Sequence, residues 1–261
     1  MSTLSFAARD SVTMVRRDFR HTLRYPGTLV LSLGVPTVLL LLFTGVFGGA
    51  LTAGFGAQGS GPYINYVVPG ILLMAVGYGS SSTALSVNAD MTEGIIGRFR
   101  TMAIAHSSVL TGHVVGALLR TMVSAALLVG VAFLLGYRSA AGPLEWLATA
   151  GLLALVAFAM TWLAVAIGLL ARTPEGITPF VLVVQVLPFM SSAFVPTALM
   201  SSAVRWFAQH EPFTPIIDTL RGLLLGTPVG DRGLIAVAWC AGLALAGFLW
   251  ARSLFGRDPN R

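Results

Sequence analysis

From Tyr25 to Ala89 the chain carries no Asp, Glu, Lys or Arg, and apolar residues fill most of the positions. A membrane-spanning helix needs about 20 apolar residues, so this stretch accommodates two spans and the turn between them. Thr28 to Gly49 is the first. Ala50 to Pro62, with Gly54, Gly56, Gly59 and Gly61, is too glycine-rich to favour a helix and is expected to be an outer loop. Asn65 to Asn88 is the second span, after which Asp90, Glu93, Arg98 and Arg100 mark a return to water. Further apolar runs over Val114 to Tyr137, Trp146 to Ala171, Ile177 to Phe194 and Gly233 to Ala251 give four more. The short polar breaks fall at Arg138 to Glu145 and Arg172 to Gly176, and a longer one runs from Pro196 to Arg232.

The pattern predicts an all-α polytopic membrane protein with six transmembrane helices. Residues 28–251 form the membrane domain, with spans at about 28–49, 65–88, 114–137, 146–171, 177–194 and 233–251. An N-terminal interfacial segment occupies 1–27 and a tail 252–261. Composition agrees: 56% of the 261 residues are hydrophobic and 10% charged, against about 25% charged in soluble domains. No short apolar core with a cleavage site directly follows the basic N-terminal stretch, so the first span is expected to direct insertion.

Charge sets the orientation. Arg9, Arg16, Arg17, Arg20, Arg24, Arg98, Arg100, Arg172, Arg252, Arg257 and Arg261 fall on one side, and Arg138, Arg205, Arg221 and Arg232 on the other. Arginine retained on cytoplasmic loops puts both termini inside, and it accounts for the net charge of +6 without nucleic acid as a partner. The chain has no lysine, so it cannot build a Walker A loop, whose Lys holds the nucleotide phosphates. Cys240 is the single cysteine and lies in an apolar run; it forms no disulfide framework and is expected to pack.

Two inner segments carry amphipathic patterns. Leu4, Ala8, Val12, Val15, Phe19 and Leu23 share one helical face, with five arginines directed elsewhere. This fits a helix lying on anionic headgroups, or a solvated amphipathic tail. In the inner loop, Ile95, Ile96, Phe99 and Met102 share a face, as expected of a helix that either docks into a soluble partner or only seals the loop. On the outer side, Thr214 is positioned to cap a helix that starts at Pro215 and ends at Gly226. About three turns cannot cross a bilayer, so this helix should lie on the outer leaflet or dip into it.

Catalytic patterns are sparse. Within the spans only Arg120, at an edge, is ionisable, which argues against a proton-coupled carrier because such carriers place titratable groups at membrane depth. No H-E-x-x-H or G-x-S-x-G motif occurs, and no metal site is expected. Ser80, Ser81, Ser82 and Thr83 fit close helix packing better than an intramembrane protease, since no histidine lies at matching depth.

Three stretches resemble the type-2 ABC exporter permeases, in particular the daunorubicin-resistance-like branch, and the likeness covers nearly the whole chain. They are Tyr63 to Gly70, Glu93 to Met102 continuing through Ser107 to Gly112, and Phe194 to Pro196 with Trp206, His210 to Thr214 and Leu220 to Gly226. In that family a proline usually follows the position of Met102, where this chain has Ala103.

The resemblance implies the permease subunit of a bacterial cell-membrane exporter without its own catalytic site. Two copies of a cytoplasmic ABC ATPase would bind the ATP and Mg, and a second permease copy would complete the assembly. Glu93, Gly94, Arg98, Phe99, Arg100 and Met102 would couple to the ATPase. Spans two and five would line the route, with Ser82, Ser86, Gln185, Phe189 and Ser192 as candidate contacts for a lipophilic drug, antibiotic or lipid. The competing expectation is a gradient-driven carrier or channel without an ATPase partner.

Overall fold

A computed structural model describes residues 26–55, 62–92, 106–171 and 173–255, and these contain helices and no strand. In chain order the α-helices are α1 (Pro26–Leu41), α2 (Gly48–Phe55), α3 (Tyr63–Thr92), α4 (His106–Leu134), α5 (Pro143–Leu170), α6 (Thr178–Val186), α7 (Ser202–His210), α8 (Phe213–Leu225) and α9 (Arg232–Phe255). A π-helical turn, Leu42–Val46, joins α1 to α2, and 3-10 turns at Pro174–Ile177 and Leu187–Met190 flank α6.

Among the described residues four helices are long and apolar enough to cross a membrane: Tyr63–Thr92, Val114–Leu134, Pro143–Leu170 and Arg232–Leu254. They coincide with predicted spans two, three, four and six. Shorter apolar helices, Leu33–Val46 and Pro174–Met190, occupy the places of spans one and five. The break in the fifth has a local cause. Pro188 lacks an amide hydrogen and crowds the preceding turn, which ends the α-helix at Val186.

The expected glycine-rich outer loop is shorter than its composition suggested, because α2 continues through Phe55. The Thr52 hydroxyl bonds the Gly48 carbonyl (2.6 Å) and accepts from the Tyr63 amide (3.3 Å), so one side chain steadies the end of α2 and the start of α3. The predicted N-terminal amphipathic helix lies outside the described residues.

The most buried helix is α3, which packs against α1, α4, α5, α6 and α8, while α9 closes on α5 and α8. Two glycines set the closest approaches of α5. At Gly168 a Cβ would lie 2.7 Å from the Ala84 carbonyl oxygen of α3, and at Gly247 of α9 one would lie 2.7 Å from the Leu163 amide nitrogen. Helices in lipid gain little from excluding water between them, so close van der Waals packing at small residues supplies much of their association. The C-terminal ends of α3 and α5 are also tied by a hydrogen bond. Asn88 is fully buried and donates through Nδ2 to the carbonyl of Ala171 (2.6 Å), a helix-end acceptor.

The hydroxyls of Ser80, Ser81, Ser82 and Thr83 bond carbonyls of Gly77 or Gly79 in their own helix at 2.8 to 3.0 Å. Such back-bonding satisfies polar groups that lipid cannot, in keeping with the packing role expected for them. Arg120 reaches inward from α4 to the Thr83 hydroxyl (3.4 Å), across the seam where Gly79 meets Thr121.

Candidate functional site: a buried polar clasp beside the broken fifth segment

The apolar face of α8, formed by Ile216, Ile217, Leu220 and Leu224, is buried, and the helix packs on α3, α5 and α9. It is thus wedged into the end of the bundle where α3 begins. Its N-terminus differs from expectation. Both Glu211 carboxylate oxygens accept backbone amides, from Phe213 (2.6 Å) and Thr214 (2.5 Å), so the capping side chain is that of Glu211, one residue before the N-cap Pro212, and the helix begins two residues before Pro215. The Thr214 hydroxyl is used elsewhere, accepting from the Ser192 amide (3.1 Å). Burial pushes the Glu211 carboxyl up from its ordinary value, and the two amides partly oppose that shift. Glu211→Ala is expected to cost about 1 kcal/mol, within the range for losing an N-cap, measurable as a lower unfolding midpoint in detergent. The helix ends at Gly226, as expected, with φ +66°. The Thr227 amide closes back on the Gly222 carbonyl, and Ser139 and Ala140 bond that of Leu224.

On the side of α8 facing α3 lie Asp218 and Arg221, one turn apart. Arg221 donates to Asp218 Oδ1 (2.7 Å), to the Ser192 carbonyl (2.6 Å) and to the Tyr66 carbonyl (3.3 Å), and its guanidinium carbon sits 3.8 Å from the centre of the Tyr66 ring. Asp218 also accepts from the Ser192 hydroxyl (2.7 Å) and from Arg232 at the start of α9. The Tyr66 hydroxyl donates to the Ser192 carbonyl (2.9 Å) and that of Tyr63 to the Phe194 carbonyl (3.0 Å). Every hydrogen-bonding group of Ser192 is therefore engaged by α3 or α8. Three elements meet there: the N-terminal end of α3, the non-helical chain after the fifth segment, and α8. Burial pulls the Arg221 guanidinium below its ordinary value; Asp218 and the carbonyls supply the compensation a buried cation requires.

An aromatic ladder adjoins the clasp. Phe43 stacks on Phe194 (4.3 Å between ring centres), and Phe194 stacks on Phe189 (4.8 Å). Phe189 is 45% exposed, beside the exposed Leu182, Val183 and Val186, while Val38, Leu41, Val46 and Phe47 are exposed on α1 and its π turn. These groups can bind, orient and exclude water. Among the described residues no cluster of His, Cys, Asp and Glu could hold a metal.

The expected route residues separate into two kinds. Ser86 and Phe189 are exposed, and Ser82 and Gln185 are half-buried on α3 and α6, which pack against each other. Ser192 is buried in the clasp. The expected coupling residues Glu93, Gly94, Arg98, Phe99, Arg100 and Met102 lie outside the described residues. The pairing of Arg221 with Asp218 escaped the reading of the sequence, in which Arg221 served only the count of outer charges. Its one signal was the i, i+3 spacing of two opposite charges on a short helix with an otherwise apolar face.

Residues 10–225 match the family model described as ABC-2 type transporter. The chain is 30% identical over 219 residues, 83% of its length and 75% of the relative's, to the daunorubicin resistance ABC transporter permease protein DrrB1 of Streptomyces coeruleorubidus. It is 25% identical over 182 residues, 69% of its length and 65% of the relative's, to the probable doxorubicin resistance ABC transporter permease protein DrrC of Mycobacterium tuberculosis. With most of its length matched by that model, and with four apolar helices packed into one bundle, the chain belongs to the ABC-2 type transporter family as a multi-pass transmembrane subunit of an ABC exporter.

Proposed function

We propose that this chain forms the membrane pathway of an exporter for lipophilic drugs or antibiotics, driven by ATP that two copies of a separate cytoplasmic ATPase subunit hydrolyse. The observation that carries this reading is the match over residues 10–225, joined with relatives named for daunorubicin and doxorubicin resistance. In this reading the chain has no catalytic site of its own, ATP and Mg reside in the partner, and both termini are cytoplasmic. The two shorter apolar helices complete six crossings, and Glu93, Gly94, Arg98, Phe99, Arg100 and Met102 receive the motion of the ATPase.

A second permease copy is the expected partner of the apolar face on α1 and α6. What supports this is the exposure of Val38, Leu41, Val46, Leu182, Val183, Val186 and Phe189 on elements that also flank the clasp. The cargo would travel along that face between the copies, past Ser86 and Phe189. A gradient-driven carrier is disfavoured by the family of the chain and by the scarcity of ionisable groups at membrane depth.

The reading is tested in inverted membrane vesicles that hold the chain with its ATPase, using daunorubicin fluorescence as the probe. Uptake is expected to require ATP. Phe99→Ala and Arg100→Glu are expected to abolish uptake while membrane insertion and ATPase binding persist. Uptake without nucleotide would favour the carrier, and normal uptake by both variants would remove the coupling assignment.

A further inference from the structure

The fifth segment of this chain is joined to α3 in an unusual way along its length. At Gly70 a Cβ would lie 2.5 Å from Ala193 Cβ and 2.9 Å from Ala193 Cα, so the small Ala193 methyl alone lies between the two main chains. Two turns further on, at Gly77, a Cβ would lie 2.9 Å from Val184 Cγ1. Tyr63, Tyr66, Gly70 and Gly77 follow a three, four and seven spacing and therefore share one face of α3. The two tyrosines on that face hold the Phe194 and Ser192 carbonyls. The clasp then fastens the same chain segment to α8 through Arg221, Asp218 and Thr214.

The geometry points to α3, the segment 178–196 and α8 moving as one body during transport, with Gly70, Gly77 and Arg221 as positioning residues and the cargo route outside their seam. Sliding the fifth segment along α3 would drive side chains into the glycine contacts. Rolling it away would strip buried polar groups of their partners: the Ser192 amide, hydroxyl and carbonyl, the Phe194 carbonyl and the Arg221 guanidinium. The α1 side differs. A Cβ at Gly34, Gly45 or Gly49 would meet open space, and the Phe43 ring carries contact to Phe194. Relative motion is therefore expected on the α1 side, where a ring stack makes the contact with the fifth segment, and not at the glycine and hydrogen-bonded seam with α3. The exposed face beyond it carries Val186 and Phe189, and the buried Ser192 would touch no cargo.

This inference rests on the reading of the chain as an ATP-driven exporter, so the test separates the two. In a Cys240→Ala background, Gly77→Cys and Val184→Cys place two thiols across the seam, and oxidation links them within one chain. ATP-driven daunorubicin uptake is expected to show no loss after cross-linking. Uptake that is lost on oxidation and regained with dithiothreitol would overturn the inference.

Should the pair disturb folding, nitroxide labels at the exposed positions of Ser86→Cys and Val186→Cys provide a second measurement, with labelled chains diluted by unlabelled ones. Their distance distribution is expected to coincide in the nucleotide-free complex and the complex trapped with ATP and vanadate. A shift between the two states would overturn the inference. Failure of the exporter reading appears differently, as absent ATP-driven uptake in the uncross-linked protein.

Discussion

Arg221→Ala is expected to lower stability by about 3–5 kcal/mol, the range for removing one partner of a buried ion pair. The substitution removes the cation that Asp218 was folded against and leaves that carboxylate with Arg232 and the Ser192 hydroxyl. It also removes one of two donors from the Ser192 carbonyl and opens a space over the Tyr66 ring. Arg221→Lys should fall between wild type and alanine, because an ammonium retains the charge but cannot reproduce the planar fork that reaches Asp218, Ser192 and Tyr66 together. Arg232→Ala should change stability by at most about 1 kcal/mol, since its side chain is 62% exposed and surface pairs contribute little. The check is the thermal unfolding midpoint of each purified variant in one detergent. Equal midpoints for Arg221→Ala and Arg232→Ala would mean that the clasp does not hold the outer end of the bundle.

Gly168→Ala and Gly247→Ala are expected to destabilise by about 1–3 kcal/mol each, as overpacking of a close contact does. A methyl group at either position would lie within 3 Å of backbone atoms on the neighbouring helix, so no side chain can rotate out of the way. The same substitution at Gly151 of α5 or Gly242 of α9 meets nothing within 4 Å. There the expected sign reverses, with a gain of about 0.5–1 kcal/mol from the lower helix propensity of glycine relative to alanine. The four single substitutions thus divide by the space around each Cβ, although all are the same chemical change in a helix. Detergent stability of the set measures this directly, and a uniform effect across the four would show that α5 is not gripped at Gly168 and Gly247.

The apolar runs were legible because lipid imposes one requirement that a sequence can display: a long apolar stretch with few charges whose backbone bonds itself. Residues 63–92, 114–134, 143–170 and 232–254 met it, and the predicted bounds differ from the observed helices by a few residues at most ends. The larger differences have local causes. The helix of α4 starts at His106, before its apolar portion, which hydropathy does not register. The glycine-rich stretch after Gly49 retains a helix to Phe55, since Leu51 and Thr52 supply apolar contact and a carbonyl partner. Glu211 replaced Thr214 as the cap because a carboxylate can accept two amides at once.

The candidate site was legible only in part. Ser82, Ser86, Gln185, Phe189 and Ser192 were grouped by the spans they occupy, and α3 and α6 do pack together. Which of them faces outward depends on how α6 is rotated against α3, and that rotation is set by Gly70 and Gly77 meeting Ala193 and Val184. In the sequence those two residues are indistinguishable from the other glycines, 29 in all.

Hydropathy, charge asymmetry and residue order by themselves determined the solvent of this protein, the approximate places where its chain turns, and its family. These properties follow from each residue's own transfer energy or from strings of neighbours, and they need no knowledge of distant partners. Tertiary structure alone decided that Arg221 is a buried keystone, that Ser192 is fully bonded, and that the fifth segment lies against α3 at two glycines. Each of those depends on atoms tens of residues apart arriving at hydrogen-bonding or contact distance, and pairwise geometry of that kind leaves no periodic trace along the chain.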